Sequence, residues 1–142
     1  MKKIIALLIF SFAFVQGEEI ANYPRSQTMN SNANIVHLTD GDFDRTIQTS
    51  KVPVVVDIYA TWCGACKMVS PVIDELNQQY AGRVLFAKVD VDSQPSFVQR
   101  FQVTGMPTLL FFRPGNNNPV YRQVGYMSKQ DFEQKINETL MH

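Results

Sequence analysis

The stretch Pro53-Val-Val-Val-Asp57-Ile-Tyr-Ala60-Thr-Trp62-Cys63-Gly-Ala-Cys66-Lys67 decides how the rest of the chain is read. Its first half, Pro53 to Ala60, is a nearly continuous apolar run rich in β-branched residues, the composition of a central strand covered on both faces. Its second half opens a helix at or near Cys63 that continues to about Tyr80, with apolar residues at Met68, Val69, Val72, Ile73 and Leu76. Pro71 falls inside that helix and predicts a kink. The two cysteines therefore lie where a strand ends and a helix begins. There the free amide N–H groups and the positive end of the helix dipole favour a thiolate. A thiolate at Cys63 would have a lowered pKa and be nucleophilic near neutral pH. Cys66, one turn later, is near enough to close a disulfide with it and lies deeper.

Outward from this stretch, the elements alternate. Ile35 to Leu38 reads as a short strand, and Thr39 or Asp40 as the cap of a helix running to about Thr49, with Phe43 and Ile47 on its inner stripe. Gly82 ends the long helix, and Arg83 to Val89 forms the next strand. Asp92 or Ser93 then caps a short helix from about Gln94 to Phe101, with Pro95 in its first turn. Thr108 to Arg113 is another apolar strand, and Pro114-Gly-Asn-Asn-Asn118 a turn. Pro119 to Val124 returns as the hairpin partner. Ser128 with Asp131 forms a capping box for a last helix to about Leu140. This order predicts an α/β domain, a central sheet with helices on both faces that ends in an antiparallel pair.

The chain has 142 residues, enough for one ordinary domain. Its 13 basic and 13 acidic residues balance, and no basic run follows position 3, so nothing points to nucleic acid as a partner. Residues 1–17 differ from the rest: Lys2 and Lys3 precede an uncharged run from Ile4 to Val15, followed by Gln16 and Gly17. This is the layout of a secretory signal peptide cleaved near Gly17. As a membrane anchor the twelve-residue run would be short, about 18 Å of helix against about 30 Å of hydrocarbon. Cleavage leaves 11 basic and 13 acidic residues. Residues 18–34, polar and rich in Asn and Ser, read as a flexible leader, and residues 35–142 as the folded domain. The chain ends without an ER retrieval signal, so the expected destination is a bacterial periplasm rather than a secretory lumen.

Two cysteines three positions apart leave an exported chain with a single internal bridge of four residues. As a structural staple such a bridge would remove little unfolded-state entropy. A zinc site would need four ligands, and beyond the cysteines the chain offers only His37 and His142, neither in a suitable place. Inert buried thiols fit poorly with the flanking Trp62, Gly64 and helix start. Asp57, a carboxyl in the middle of an apolar strand, is costly unless protonated or paired, so its place is a functional flag. An exposed edge position would remove that cost, but the β-branched neighbours speak for a covered strand.

Trp62-Cys-Gly-Ala-Cys-Lys67 after Val54-Val-Val-Asp-Ile-Tyr-Ala-Thr61, with Phe101-Gln-Val-Thr-Gly-Met-Pro-Thr-Leu-Leu-Phe-Phe112 about forty residues beyond Cys66, resembles thioredoxin over residues 35 to 140. The resemblance implies the thioredoxin fold, a central mixed five-stranded sheet flanked by helices on both faces. It implies thiol–disulfide oxidoreductase activity on disulfide-containing protein substrates, with the cysteine pair as the redox group, no added cofactor, and a monomer. Cys63 would be the nucleophile, Cys66 the resolving thiol, and Asp57 the buried acceptor of the Cys66 proton, its pKa raised by burial. Lys88 matches the family's lysine near that acid, though on sequence alone it reads equally well as a solvated surface lysine. Met106 and Pro107 match the loop opposite the disulfide, where the proline follows a cis peptide bond and the backbone meets a substrate strand. Gly125 matches a glycine of the substrate-contacting surface. Trp62, Gly64 and Ala65 complete an uncharged docking patch, and Tyr59 takes an aromatic position that suits the core.

The departure is Ala65, where thioredoxins most often carry proline. Proline withholds an N–H; the Ala65 amide is expected to point toward the Cys63 sulfur and make the pair somewhat more oxidising. In an exported protein the reduced pair would be regenerated by a membrane electron donor. The reverse activity, oxidase or isomerase, and a non-catalytic binding module are the alternatives. Against the oxidase stands the short segment between Cys66 and Pro107, which has no room for the helical insertion carried by periplasmic oxidases of the superfamily.

Overall fold

The computed structural model describes residues 34–142. Residues 1–33, and with them the expected signal peptide and nearly all of the expected polar leader, lie outside the described residues.

Nine elements follow in the expected order: β1 (Val36–His37), α1 (Phe43–Thr49), β2 (Val54–Tyr59), α2 (Gly64–Gln79), β3 (Leu85–Asp90), α3 (Ser96–Arg100), β4 (Thr108–Phe112), β5 (Tyr121–Val124) and α4 (Lys129–Leu140). The strands form one sheet in the order β1-β3-β2-β4-β5, so the apolar run anchors the middle as its composition requires. β1 and β2 both pair with β3 in parallel, whereas β4 runs antiparallel to β2 and β5 to β4. All of β2 from Val54 to Ile58 is buried.

Alternation along β2 divides the core in two. Val54, Val56 and Ile58 pack with Phe43 and Ile47 of α1 and Phe97 of α3. Val55 faces the other way, toward Val69, Ile73 and Leu76 of α2 and Phe132 and Ile136 of α4. Aromatic contacts dominate the first layer: the Phe43 ring lies 5.0 Å from Phe97, 5.4 Å from Phe101 and 5.8 Å from Phe112. Each fully buried phenylalanine contributes about 1.5–3 kcal/mol by area alone, and edge-to-face pairing adds to that.

Several boundaries differ from expectation, each for a local reason. α1 is not capped by Thr39 or Asp40; its N-cap is Asp42, whose carboxylate instead accepts the Thr39 amide at 2.7 Å and closes a turn before the helix. α3 starts at Ser96, not near Gln94, and neither Asp92 nor Ser93 caps it. The Asp90 side chain accepts from the Asp92 amide and the Ser93 hydroxyl, which keeps residues 91–93 in a turn. β3 begins at Leu85 because the Arg83 and Val84 amides fold back onto the Tyr80 carbonyl around Gly82, whose φ of 77° needs glycine. β5 begins at Tyr121, just past Pro119, which has no amide to give the ladder. The Ser128 cap of α4 is present: its hydroxyl accepts from the Asp131 amide at 3.2 Å and donates to the Asp131 carboxylate at 2.7 Å. α2 carries Pro71 within its length.

Candidate active site

β2 ends at Tyr59, and the Cys63 amide donates to the Ala60 carbonyl, so the chain turns directly from the centre of the sheet into α2. Cys63 is the N-cap of α2, a position usually taken by an oxygen-bearing side chain. Its sulfur performs the capping role, accepting the Cys66 amide at 3.2 Å. Among the described residues that is the amide donating to the sulfur, in place of the Ala65 amide expected from the sequence. Cys63 and Cys66 are joined as a disulfide with their Cα atoms 5.3 Å apart. Cys66 is the deeper of the two, 4% exposed against 8% for Cys63.

The Met106–Pro107 peptide bond is cis, as the resemblance implied. The Met106 carbonyl oxygen lies 3.6 Å from the Cys63 sulfur, which brings that loop against the pair. Gly125 belongs to the same neighbourhood: its amide donates to the Pro107 carbonyl at 2.8 Å, and its φ of 88° is one that glycine adopts freely. Gly105 is tight for a different reason, because a Cβ there would meet the Val124 side chain at 3.1 Å. Gly64 faces open space, so at that position openness rather than fit is the feature. Trp62 is 67% exposed, and its indole N–H reaches the Asp92 carboxylate at 3.4 Å. Asp92, expected as a helix cap, thus serves the rim of the site; no spacing rule in the sequence ties it to a tryptophan 30 positions earlier.

Asp57 is 2% exposed in the middle of β2. Its Oδ1 has no hydrogen-bond partner among the described residues. Burial pushes its pKa up to about 7, against a smaller lowering by the Lys88 ammonium. Lys88 stands directly across in register on β3, with Leu109 across on β4. A cavity of about 170 Å³ runs past Asp57 and Cys66, lined also by His37, Tyr59, Lys67, Ser70 and Lys88. His37, expected as an ordinary strand residue, and Tyr59, expected in the core, both reach it. Ser70 was not singled out by any sequence pattern, yet the Lys88 ammonium donates to its hydroxyl at 2.8 Å. The described residues contain no group of three or more His, Cys, Asp or Glu side chains arranged to hold a metal. Chemically, the arrangement couples a sulfur pair at a helix N-terminus to a buried acid able to exchange a proton near neutrality.

The thioredoxin family model matches residues 34–138. The chain belongs to the thioredoxin family. Relatives include the thioredoxin of Staphylococcus haemolyticus, 41% identical over 75% of this chain and 98% of that protein. The thioredoxin of Haemophilus influenzae is 37% identical over 75% of this chain and 97% of its own length. That of Allochromatium vinosum is 45% identical over 68% of this chain and 88% of the relative. With the cysteine pair in place, the chain is a thiol–disulfide oxidoreductase whose redox group is its own disulfide, and its substrates are disulfide-containing proteins.

The raised Asp57 pKa has a consequence for stability. Folded, the carboxyl keeps its proton to about pH 7; unfolded, it releases it near 3.8. Between these values the unfolded state ionises first, so stability falls as pH rises and levels off above 7. The loss amounts to about 4 kcal/mol at 1.36 kcal/mol per pH unit. Urea unfolding of the oxidised protein from pH 4 to 9 is expected to show this decline and Asp57→Ala to flatten it; a parallel decline in the variant would refute the assignment.

Proposed function

We propose that the chain reduces protein disulfides outside the cytoplasm through a mixed-disulfide intermediate. The observation that carries the chemistry is the stacking of three parts: a sulfur capping α2, the Met106 carbonyl beside it, and a buried acid that shares a cavity with Cys66 and whose Oδ1 has no partner among the described residues. In the reduced protein the Cys63 thiolate attacks one sulfur of a substrate disulfide. The Cys63–substrate bond forms as the substrate bond breaks, and the departing thiolate takes a proton from solvent. Cys66 passes its proton to Asp57 and attacks the Cys63 sulfur. The Cys63–Cys66 bond forms, the second substrate thiolate leaves, and two electrons have moved from the pair to the substrate. Met106 and Gly125 supply backbone beside an incoming substrate strand, with Trp62, Gly64 and Ala65 as an uncharged rim. In this reading the protein works as a monomer, and a membrane donor outside the cytoplasm returns the electrons.

Location rests on the sequence of residues 1–17, positively charged and then apolar. The mature protein is expected to begin at Glu18. N-terminal sequencing of the exported form checks this; a chain retaining Lys2 and Lys3 would mean the segment anchors or stays in the cytoplasm.

Cys66→Ser is expected to trap substrates as mixed disulfides on Cys63, in the exported fraction and released by a reductant. Cys63→Ser in the same cells is expected to trap none. Equal capture by both variants would favour a binding module over a redox enzyme.

The direction of electron flow turns on Ala65. Without proline, the first turn of α2 keeps an additional N–H at its positive end, which favours the thiolate and hence the reduced pair. The expected reduction potential lies above thioredoxin's value of about −270 mV, with Ala65→Pro lowering it. Equilibration with glutathione decides: a value at or below thioredoxin's defeats the expectation, and one near −120 mV would favour disulfide donation.

A further inference from the structure

The cavity below the disulfide holds a contact that the redox cycle leaves unexplained. His37, Lys88, Asp57 and Leu109 form one row across β1, β3, β2 and β4, in register. Neighbours in such a row project to the same face, so the Lys88 side chain leaves the sheet beside that of Asp57. An ammonium and a carboxyl in adjacent register positions would be expected to pair. They do not: the ion pairs among the described residues are Arg100–Asp44, Lys129–Glu75 and Lys135–Glu138, all on the surface. Lys88 donates instead to Ser70 Oγ at 2.8 Å, across the cavity on α2, while Asp57 Oδ1 goes without a partner. Ser70 sits one turn beyond Cys66, so the same helix that carries the resolving sulfur carries the hydroxyl.

We propose that Ser70 is a positioning residue: its hydroxyl holds the Lys88 ammonium off Asp57 Oδ1 and so sets how readily the buried carboxyl takes the proton of Cys66. The inference rests on the reading of Asp57 as that proton acceptor. Its physical content is a competition for one cation. A carboxyl with an opposite charge within about 4–6 Å loses about 1–3 pH units of basicity. Pulled fully onto Asp57, Lys88 would weaken the carboxylate's hold on a proton and make it a poorer acceptor at neutral pH. Held at Ser70, the lysine still acts across the cavity, and the carboxyl keeps its proton to near neutrality. A neutral hydroxyl is suited to this, because it binds the ammonium without adding a charge of its own.

Other groups face Asp57 and have to be separated from this effect. His37 from β1, Tyr59 from its own strand, and Cys66 and Lys67 from α2 all line the cavity, whereas β4 offers only Leu109. Of these, His37 lies on the far side of Lys88 in the row.

The test follows the Asp57 carboxyl carbon by NMR through a pH titration of the oxidised full-length mature protein, with the His37 ring followed in the same samples. No thiol chemistry occurs in that state, so the titration reads the position of the lysine whether or not Asp57 serves Cys66. Ser70→Ala is expected to lower the Asp57 midpoint by about one pH unit as Lys88 turns to the carboxyl. Ser70→Thr, which keeps a hydroxyl, restores it. In a Lys88→Met background Ser70→Ala is expected to shift nothing. A midpoint that stays or rises in Ser70→Ala, or an equal fall with Lys88 absent, would overturn the proposal. The pH profile of disulfide reduction is read separately. A carboxyl that shifts while the profile stays fixed supports the positioning by Ser70 and overturns the proton-acceptor role of Asp57 instead.

Discussion

A carboxyl in the middle of a sheet constrains what surrounds it, and here the arrangement of β2 follows from that constraint. Asp57 is flanked by a parallel neighbour on one side and an antiparallel one on the other, with apolar residues above and below it along the strand. Placed at an edge, the group would ionise in water and be a surface charge like any other. At the centre it persists because a small cavity and the Lys88 ammonium temper the cost of desolvation. Burial of the strand, the place of Lys88 in register and the position of the helix bearing Cys66 are therefore one arrangement.

The loop before β4 brings the opposite wall of the site. It arrives from a part of the chain about forty residues removed, and it is fixed by short contacts: Gly125 to Pro107, the Thr108 hydroxyl to the Gly105 carbonyl at 2.6 Å, and the β4–β5 pairing beyond. None of these involves the sulfurs. The wall is thus held by contacts within the sheet and its hairpin rather than by the pair. The exposed Trp62 at the rim contrasts with the buried pair beside it.

Much of this was legible in the sequence. The strand–cysteine–helix junction, the order of elements, the two-sided burial of β2 and the Ser128 cap all follow from local pattern, because each is decided within a few residues. Misplaced boundaries share a cause. Thr39, Asp92 and Ser93 are good capping residues in isolation, but the Asp42 and Asp90 carboxylates tie the Thr39 and Asp92 amides into turns before the helices, and such turns are not visible in a propensity. The site divided in the same way. Cys63 and Cys66 declare themselves by spacing, and Asp57 by its intrusion into an apolar run. Ser70, Asp92 and His37 do not, because their roles depend on what stands across a gap: a lysine from another strand, an indole from another loop, a cavity wall. Resemblance supplied Met106, Pro107 and Gly125, whose backbone contacts carry no signature in side-chain type.

The cap of α2 is also the reacting atom, and that double duty joins two quantities ordinarily measured apart. Whatever the amides of the first turn contribute to a charged Cys63 sulfur, the charged sulfur contributes equally to the first turn, since coupling free energies are reciprocal. The firmness of the helix end and the electron affinity of the pair are then two readings of one interaction. A substitution that frays residues 64–66 must move the redox equilibrium, and a change in redox state must be felt as a change in how tightly the helix begins.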